Sequence, residues 1–208
     1  PQAEECHFPV KRSPHMLPLR GLIVTVLLGL VASSCSQAGV VLGQKPVDLT
    51  VPNGIDVGFN HRAVSRYRSP LSGAWRNGDN LEQMLINAIN SAEKEILVAV
   101  QELSLPRIAE SLVAASRQGV NVKVILENNY STPWSQQHEL DLSRHGRKRL
   151  QRLKVEADQD QNGVVSPEEE RKSDALLILQ NGQIAWIDDT EDGSKGSGLM
   201  HHKFVVID

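Results

Sequence analysis

GDNLEQMLINAINSAEKEILVAVQELSLPRIAESLVAASRQGVNVKVILE, residues 78–127, sets the fold class of this chain. Leu81, Met84, Leu85, Ala88, Ile89 and Ala92 recur at helical spacing and predict one apolar face. Asp79, with Glu82 three residues later, fits a capping box at the start of that helix. ILVAVQEL follows as a short apolar run of strand length. SLPRIAESLVAASRQG then predicts a second helix, with Ser104 as a candidate cap and Pro106 in the first turn. Ile108, Leu112 and Ala115 supply its apolar face and Gly119 its stop. VNVKVILE is another strand. Helix, strand, helix and strand with tight connections make a βαβ unit, two parallel strands joined by a right-handed crossover. The class is α/β.

Upstream the character changes. The first methionine is Met16, and from it the sequence runs MLPLRGLIVTVLLGLVASSC. Arg20, the apolar run Gly21–Ala32 and the small residues before Cys35 have the layout of a secretory signal. The run is short against the roughly 20 residues of a membrane span. VASSC is similar to a bacterial lipoprotein signal, in which Cys35 becomes the lipidated first residue of the mature chain. An uncleaved anchor, or a signal cut elsewhere, is the alternative. Residues 1–15 then read as an upstream extension outside the native structure, and residues 16–35 as the signal. Residues 36–76, rich in Gly and Pro, read as a linker with lead-in strands at VDLTV and IDVGF. The expected location is the bacterial cell envelope, the periplasm or the medium.

The chain has 208 residues, 40% hydrophobic and 23% charged, a globular composition with room for one core. A net charge of −3 excludes a general attraction to nucleic acid or anionic lipid, so any such attraction must be local. Cys6 and Cys35 have neither metal-site spacing nor that of a disulfide framework.

Residues 138–172 interrupt the α/β rhythm as an insert. SRHGRKRLQRLK gathers Arg144, Arg147, Lys148, Arg149, Arg152 and Lys154, either a phosphate-facing surface or a solvated helix face. The charge then reverses in DQDQNGVVSPEEE. Asp158, Asp160, Asn162, Gly163 and Glu169 fit D-x-[DN]-x-[DN]-G-x5-E in full. Residues 158–169 therefore resemble an EF-hand loop. Asp158, Asp160 and Asn162 would converge on Ca2+, joined by the Val164 carbonyl, Ser166 through water, and both oxygens of Glu169. Glu170 stands where an exit helix usually has an apolar residue, and no second loop is visible for pairing. A lone loop of this kind is expected to bind weakly, about 10⁻⁴–10⁻³ M, in a structural role. An acidic surface turn without metal is the alternative. Beyond the insert, DALLIL and IAWID predict strands, and Asn181-Gly182 between them predicts a hairpin turn.

The last residues, GSGLMHHKFVVID, place His201, Lys203 and Asp208 at H-x-K-x4-D. On a strand, His201 and Lys203 share one face, while His202, Phe204, Val206 and Asp208 take the other. An ammonium beside an imidazole disfavours a second cation there and favours the nucleophilic neutral ring. The same ammonium stabilises negative oxygens on a phosphoryl group under attack. A surface His/Lys pair beside a core strand is the alternative.

LMHHKFVVID, preceded by the alternating unit and by IAWIDD, resembles the phospholipase D superfamily from about Asn77 to Asp208, apart from the insert. The resemblance implies a mixed sheet flanked by helices, here one incomplete half of a two-half enzyme. It implies that His201 attacks phosphorus to form a phosphohistidine, that Lys203 holds the phosphate oxygens, and that Asp208 has a supporting role. The second half, from further C-terminal sequence or a dimer partner, would supply a histidine to protonate the leaving alcohol. No metal is needed for that chemistry. Phospholipid is the expected substrate, with nucleic acid as the alternative and a non-catalytic calcium-binding surface lipoprotein as the reading from another class. Family halves continue beyond the motif, so a truncated domain is expected, with an unpaired strand edge.

Overall fold

The computed structural model describes residues 52–70, 72–193 and 198–208. The signal segment, VDLTV and Cys35 lie outside them. Gly54–Asp208 forms one compact unit. IDVGF is not a strand. The lead-in strands lie further along, β1 (Arg66–Arg68) and β2 (Trp75–Asn77), as an antiparallel pair.

The quoted stretch folds as its periodicity predicts: α1 (Leu81–Asn90), β3 (Glu95–Val100), α2 (Pro106–Arg117) and β4 (Asn121–Leu126). β3 and β4 are parallel. The helix starts differ from expectation. Asn80, not Asp79, caps α1, its Oδ1 accepting from the Gln83 N–H at 3.1 Å. Asp79 instead accepts from the Phe59 N–H at 2.9 Å and the Ser65 hydroxyl at 2.6 Å, which ties the lead-in segment to the helix start. Those bonds, Ser65 first, hold its carboxyl below the usual range. Leu105, without a side-chain cap, precedes Pro106 at the start of α2, so Ser104 does not cap it. The buried face of α1 is centred on Ile86 and Ile89, while Leu81 and Met84 are exposed.

The larger corrections lie after the insert. DALLIL is not a strand but α5 (Ala175–Asn181), preceded by α3 (Arg144–Ala157) and α4 (Pro167–Ser173). Asp174 starts α5 by accepting from the N–H groups of Leu176 and Leu177, and Ala175, Leu176 and Leu179 are buried, a helical spacing. Asn181-Gly182 is a helix end and not a hairpin. A Cβ at Gly182 would lie inside van der Waals contact of the Val113 side chain, so glycine lets α5 close onto α2. IAWID supplies β5 (Trp186–Asp188), parallel to β4. The final strand, β6 (Lys203–Ile207), runs antiparallel to β3.

The four-stranded sheet has the order β5-β4-β3-β6, a mixed sheet with β5 and β6 at its edges. Ile96, Val98, Val124 and Leu126 on one face form the core with Ile89, Leu112 and Leu179 from α1, α2 and α5. Burying each such side chain stabilises the fold by about 1.5–3 kcal/mol. A second cluster, Trp134, Leu150, Leu153 and Ala157, anchors the insert. No helix among the described residues is long and apolar enough to cross a membrane.

Candidate active site at the C-terminal edge of the sheet

Parallel strands followed by helices leave a crevice at the carboxyl ends of the strands, where ligands of open α/β sheets bind. β6 runs the other way, so its first residue, Lys203, reaches that same edge opposite Val100. The edge therefore collects the residues that follow β3, β4 and β5 together with those that precede β6.

His201 and His202 are exposed there, and so is Lys203. Lys203 Nζ donates to Gln101 Oε1 at 3.0 Å and to the His201 carbonyl at 3.2 Å. The Gln101 N–H donates to the His202 carbonyl at 2.9 Å, continuing the pairing of β3 with β6 through the motif. The His202 ring packs edge-on against Phe204 at 5.6 Å between centroids, as residues two apart on one face would.

Asp208 is elsewhere. Its Oδ1 accepts from the N–H groups of Lys94 and Glu95, at 3.0 and 2.9 Å. These lie at the beginning of β3, the opposite end from Val100 and Lys203. At about 3.3 Å per residue, Asp208 stands about 16 Å along the strand from Lys203. Its carboxyl is held below the usual range by those backbone donors, Glu95 first. The structure brings His201 and Lys203 together and leaves Asp208 as a clasp between β6 and the start of β3.

Other polar groups complete the edge. Glu102 accepts from Arg149 Nε at 2.8 Å, and the Arg149 guanidinium lies over the Tyr130 ring, 5.1 Å from its centroid. The buried Glu127 accepts from the Asn129 N–H at 2.9 Å and from its side chain at 2.7 Å. Asp188 accepts from the Thr190 hydroxyl at 2.6 Å, which depresses its carboxyl below the usual range. None of Gln101, Glu102, Glu127 or Asp188 stands out by motif. Each nevertheless ends a parallel strand or follows it within two residues, the position at which such sheets place ligand contacts.

Arg149, inside the basic stretch, is thus a buried partner of Glu102, and Lys154 pairs with Glu139 at 3.1 Å. Arg144, Arg147, Lys148 and Arg152 remain on the exposed side of α3.

The acidic loop lies between α3 and α4, away from the edge in sequence. Asp158, Asp160 and Glu169 each offer a carboxylate oxygen, all within 4.8 Å of one another. Asp158 accepts from the N–H groups of Asn162 and Gly163, and Gly163 takes φ +85°, the turn that glycine permits. Asn162 Oδ1 accepts from the Val164 N–H, and Val164 is exposed. Ser166 caps α4 in a reciprocal box with Glu169. Glu169 accepts from Ser166, Gln159 and Asp160, which lowers its carboxyl to about 2, the Ser166 N–H contributing most. With the Ser166 hydroxyl also donating to it, Glu169 accepts two bonds at each oxygen, which fills the about four acceptor sites of a carboxylate, so a cation here would take the place of some of them.

With this geometry in hand, a family model described as cardiolipin synthase, phospholipase D-like domain, matches residues 85–208. The chain belongs to the phospholipase D-like family. Among solved structures it is similar to a phospholipase D family member, Nuc from Salmonella typhimurium, at 19% identity and a TM-score of 0.35. That match covers 61% of this chain and 57% of the other, so this chain spans less than two thirds of that relative. No curated protein matches it. The phospholipase D-like assignment agrees with the mixed sheet and with a His/Lys pair at its carboxyl edge.

Proposed function

We propose that this phospholipase D-like chain is one half of an exported phosphodiesterase that cleaves phospholipid. His201 attacks the phosphodiester phosphorus. As the N–P bond forms, the bond to the leaving alkoxide breaks, and a histidine of a second half protonates the departing oxygen. Water, deprotonated by that same histidine, then displaces His201 and releases the phosphomonoester. Lys203 donates to the non-bridging oxygens, where negative charge concentrates as the nucleophile arrives. The second half is carried in the same polypeptide or by a second copy of the chain.

The observation that carries this reading is the exposed His201 beside Lys203, whose ammonium is held between Gln101 Oε1 and the His201 carbonyl. Asp208 supports the site through the fold, by holding the far end of β6. The test is turnover of phosphatidylcholine vesicles and of plasmid DNA by the full chain, with His201→Ala alongside. Loss of lipid turnover in the variant is expected; equal turnover by both proteins removes His201 from the chemistry. Cleavage of DNA alone assigns a nuclease instead, with the exposed cations of α3 tracking the phosphate backbone.

Export rests on the signal at residues 16–35, and lipidation at Cys35 would fix the mature chain to the envelope. Mass spectrometry of the mature N-terminus checks both, with a diacylated Cys35 as the expected first residue.

Ca2+ is the metal that the acidic loop suits, as a structural ion apart from the phosphoryl chemistry. Asp158, Asp160, Asn162 and Glu169 would supply side-chain oxygens, Val164 its carbonyl, and Ser166 a water-mediated contact. An all-oxygen donor set of flexible loop groups favours a hard cation of this size. Calorimetric titration with CaCl2 is expected to show one weak site in the native chain and none in Asp158→Ala. Unchanged uptake by the variant would rule this loop out.

A further inference from the structure

We infer that Gln101 is a positioning residue that holds Lys203 ready for a phosphate while leaving its charge undiminished. This rests on the proposed phosphodiester chemistry but adds a residue that the His/Lys motif does not contain.

Gln101 is fixed on three sides. It immediately follows β3, its N–H donates to the His202 carbonyl at 2.9 Å, and its own carbonyl accepts from the Glu127 N–H at 3.4 Å. Its neighbour Glu102 is tied to Arg149 at 2.8 Å. The side chain of Gln101 thus projects from a backbone held by two other strands and by the insert helix. Lys203, in contrast, is exposed and has a flexible stem. Such a side chain loses substantial rotamer freedom when it is confined. A bond at 3.0 Å to an acceptor whose backbone is held reduces that freedom before substrate arrives.

The choice of amide over carboxylate matters. An ammonium has three donors and no acceptor, so the amide must turn its oxygen towards Lys203. A neutral oxygen orients the ammonium without cancelling its charge. A carboxylate there would form an ion pair and compete directly with a phosphate for the same donors. The two nearby acids do not fill that role: Glu102 is paired with Arg149 and Glu127 is bonded by Asn129. The acceptors that Lys203 Nζ meets among the described residues, Gln101 Oε1 and the His201 carbonyl, are both neutral.

The experiment uses the full chain, with turnover of a phosphodiester and binding of inorganic phosphate as separate readouts. Gln101→Ala is expected to lower kcat/KM about 10-fold in the native background and by less than about 2-fold when Lys203 is already alanine, the non-additivity of residues acting as a unit. Gln101→Glu is expected to weaken phosphate binding about 10-fold at neutral pH, whereas Gln101→Asn retains most of the affinity. A Gln101→Ala loss that is equal in both backgrounds, or undiminished phosphate binding by Gln101→Glu, overturns the inference. Absent turnover with phosphate binding that still depends on Gln101 and Lys203 would instead defeat the phosphodiesterase reading alone. A native chain that neither turns over a phosphodiester nor binds phosphate defeats both. Melting temperatures of the variants separate these outcomes from misfolding, since the backbone bonds of Gln101 survive each substitution.

Discussion

Replacing His201 by alanine is expected to reduce phosphodiester turnover by about 10⁴-fold or more, the scale on which loss of a covalent nucleophile is felt. The fold should not register the change. His201 is exposed, precedes the first residue of β6, and contributes only its carbonyl to the observed bonds, an atom that alanine keeps. Lys203→Ala tests the other member of the pair and should lower turnover by about 10²–10³-fold, as removal of one oxyanion-stabilising donor does. The two losses should not add. Without a nucleophile there is little transition-state charge for the lysine to stabilise, so the double variant should resemble His201→Ala. Additive losses would show that the two groups act in different steps. His202→Ala is the internal control. Its ring packs on Phe204 on the other face of β6, and its substitution should leave turnover within about 3-fold, since a surface change away from the reacting atoms costs little.

The parts of the fold that were legible are those in which one physical signal acted alone. In α2, Ile108, Leu112 and Ala115 repeat at helical spacing with Pro106 ahead and Gly119 behind, and all three are buried. ILVAV and VKVIL, too short for helices and bounded by turn residues, are strands. Where two signals competed, local pattern misled. DALLIL has the length and composition of a buried strand, and Asn-Gly after it is a strong hairpin turn. The arbiter was Asp174, whose carboxylate satisfies the first turn of α5 and whose helical register sends Leu176 and Leu179 into the core. The same limit applied at the site. His201 and Lys203 follow from residue type and parity. Asp208 shares their motif, but only the pairing of β6 with β3 reveals that it faces the opposite edge. Gln101 is recognised only once β6 is known to run against β3, because no local spacing connects residues a hundred positions apart.

Asp174→Ala should be the most destabilising single substitution outside the apolar core, at about 2–4 kcal/mol. Asp174 is 1% exposed, and its two oxygens serve four donors: the N–H and hydroxyl of Ser135, at 2.9 and 2.8 Å, and the N–H groups of Leu176 and Leu177. Alanine removes a helix cap, typically about 1 kcal/mol. It also strands buried donors that the collapsed site leaves little room to hydrate, at about 1–3 kcal/mol. The consequences reach both cores, because Ser135 borders Trp134 of the insert cluster while Leu176 belongs to the main one. Denaturant unfolding should therefore show a lower midpoint with an unchanged slope if the two clusters still unfold together. Asp174→Asn, which keeps one acceptor oxygen, should recover roughly half of the loss. If the alanine variant instead unfolds in two steps, the insert is held to the sheet mainly through this carboxylate. Arg149–Glu102, another tie between them, would then be too weak to keep α3 in place beside Gln101 and Lys203.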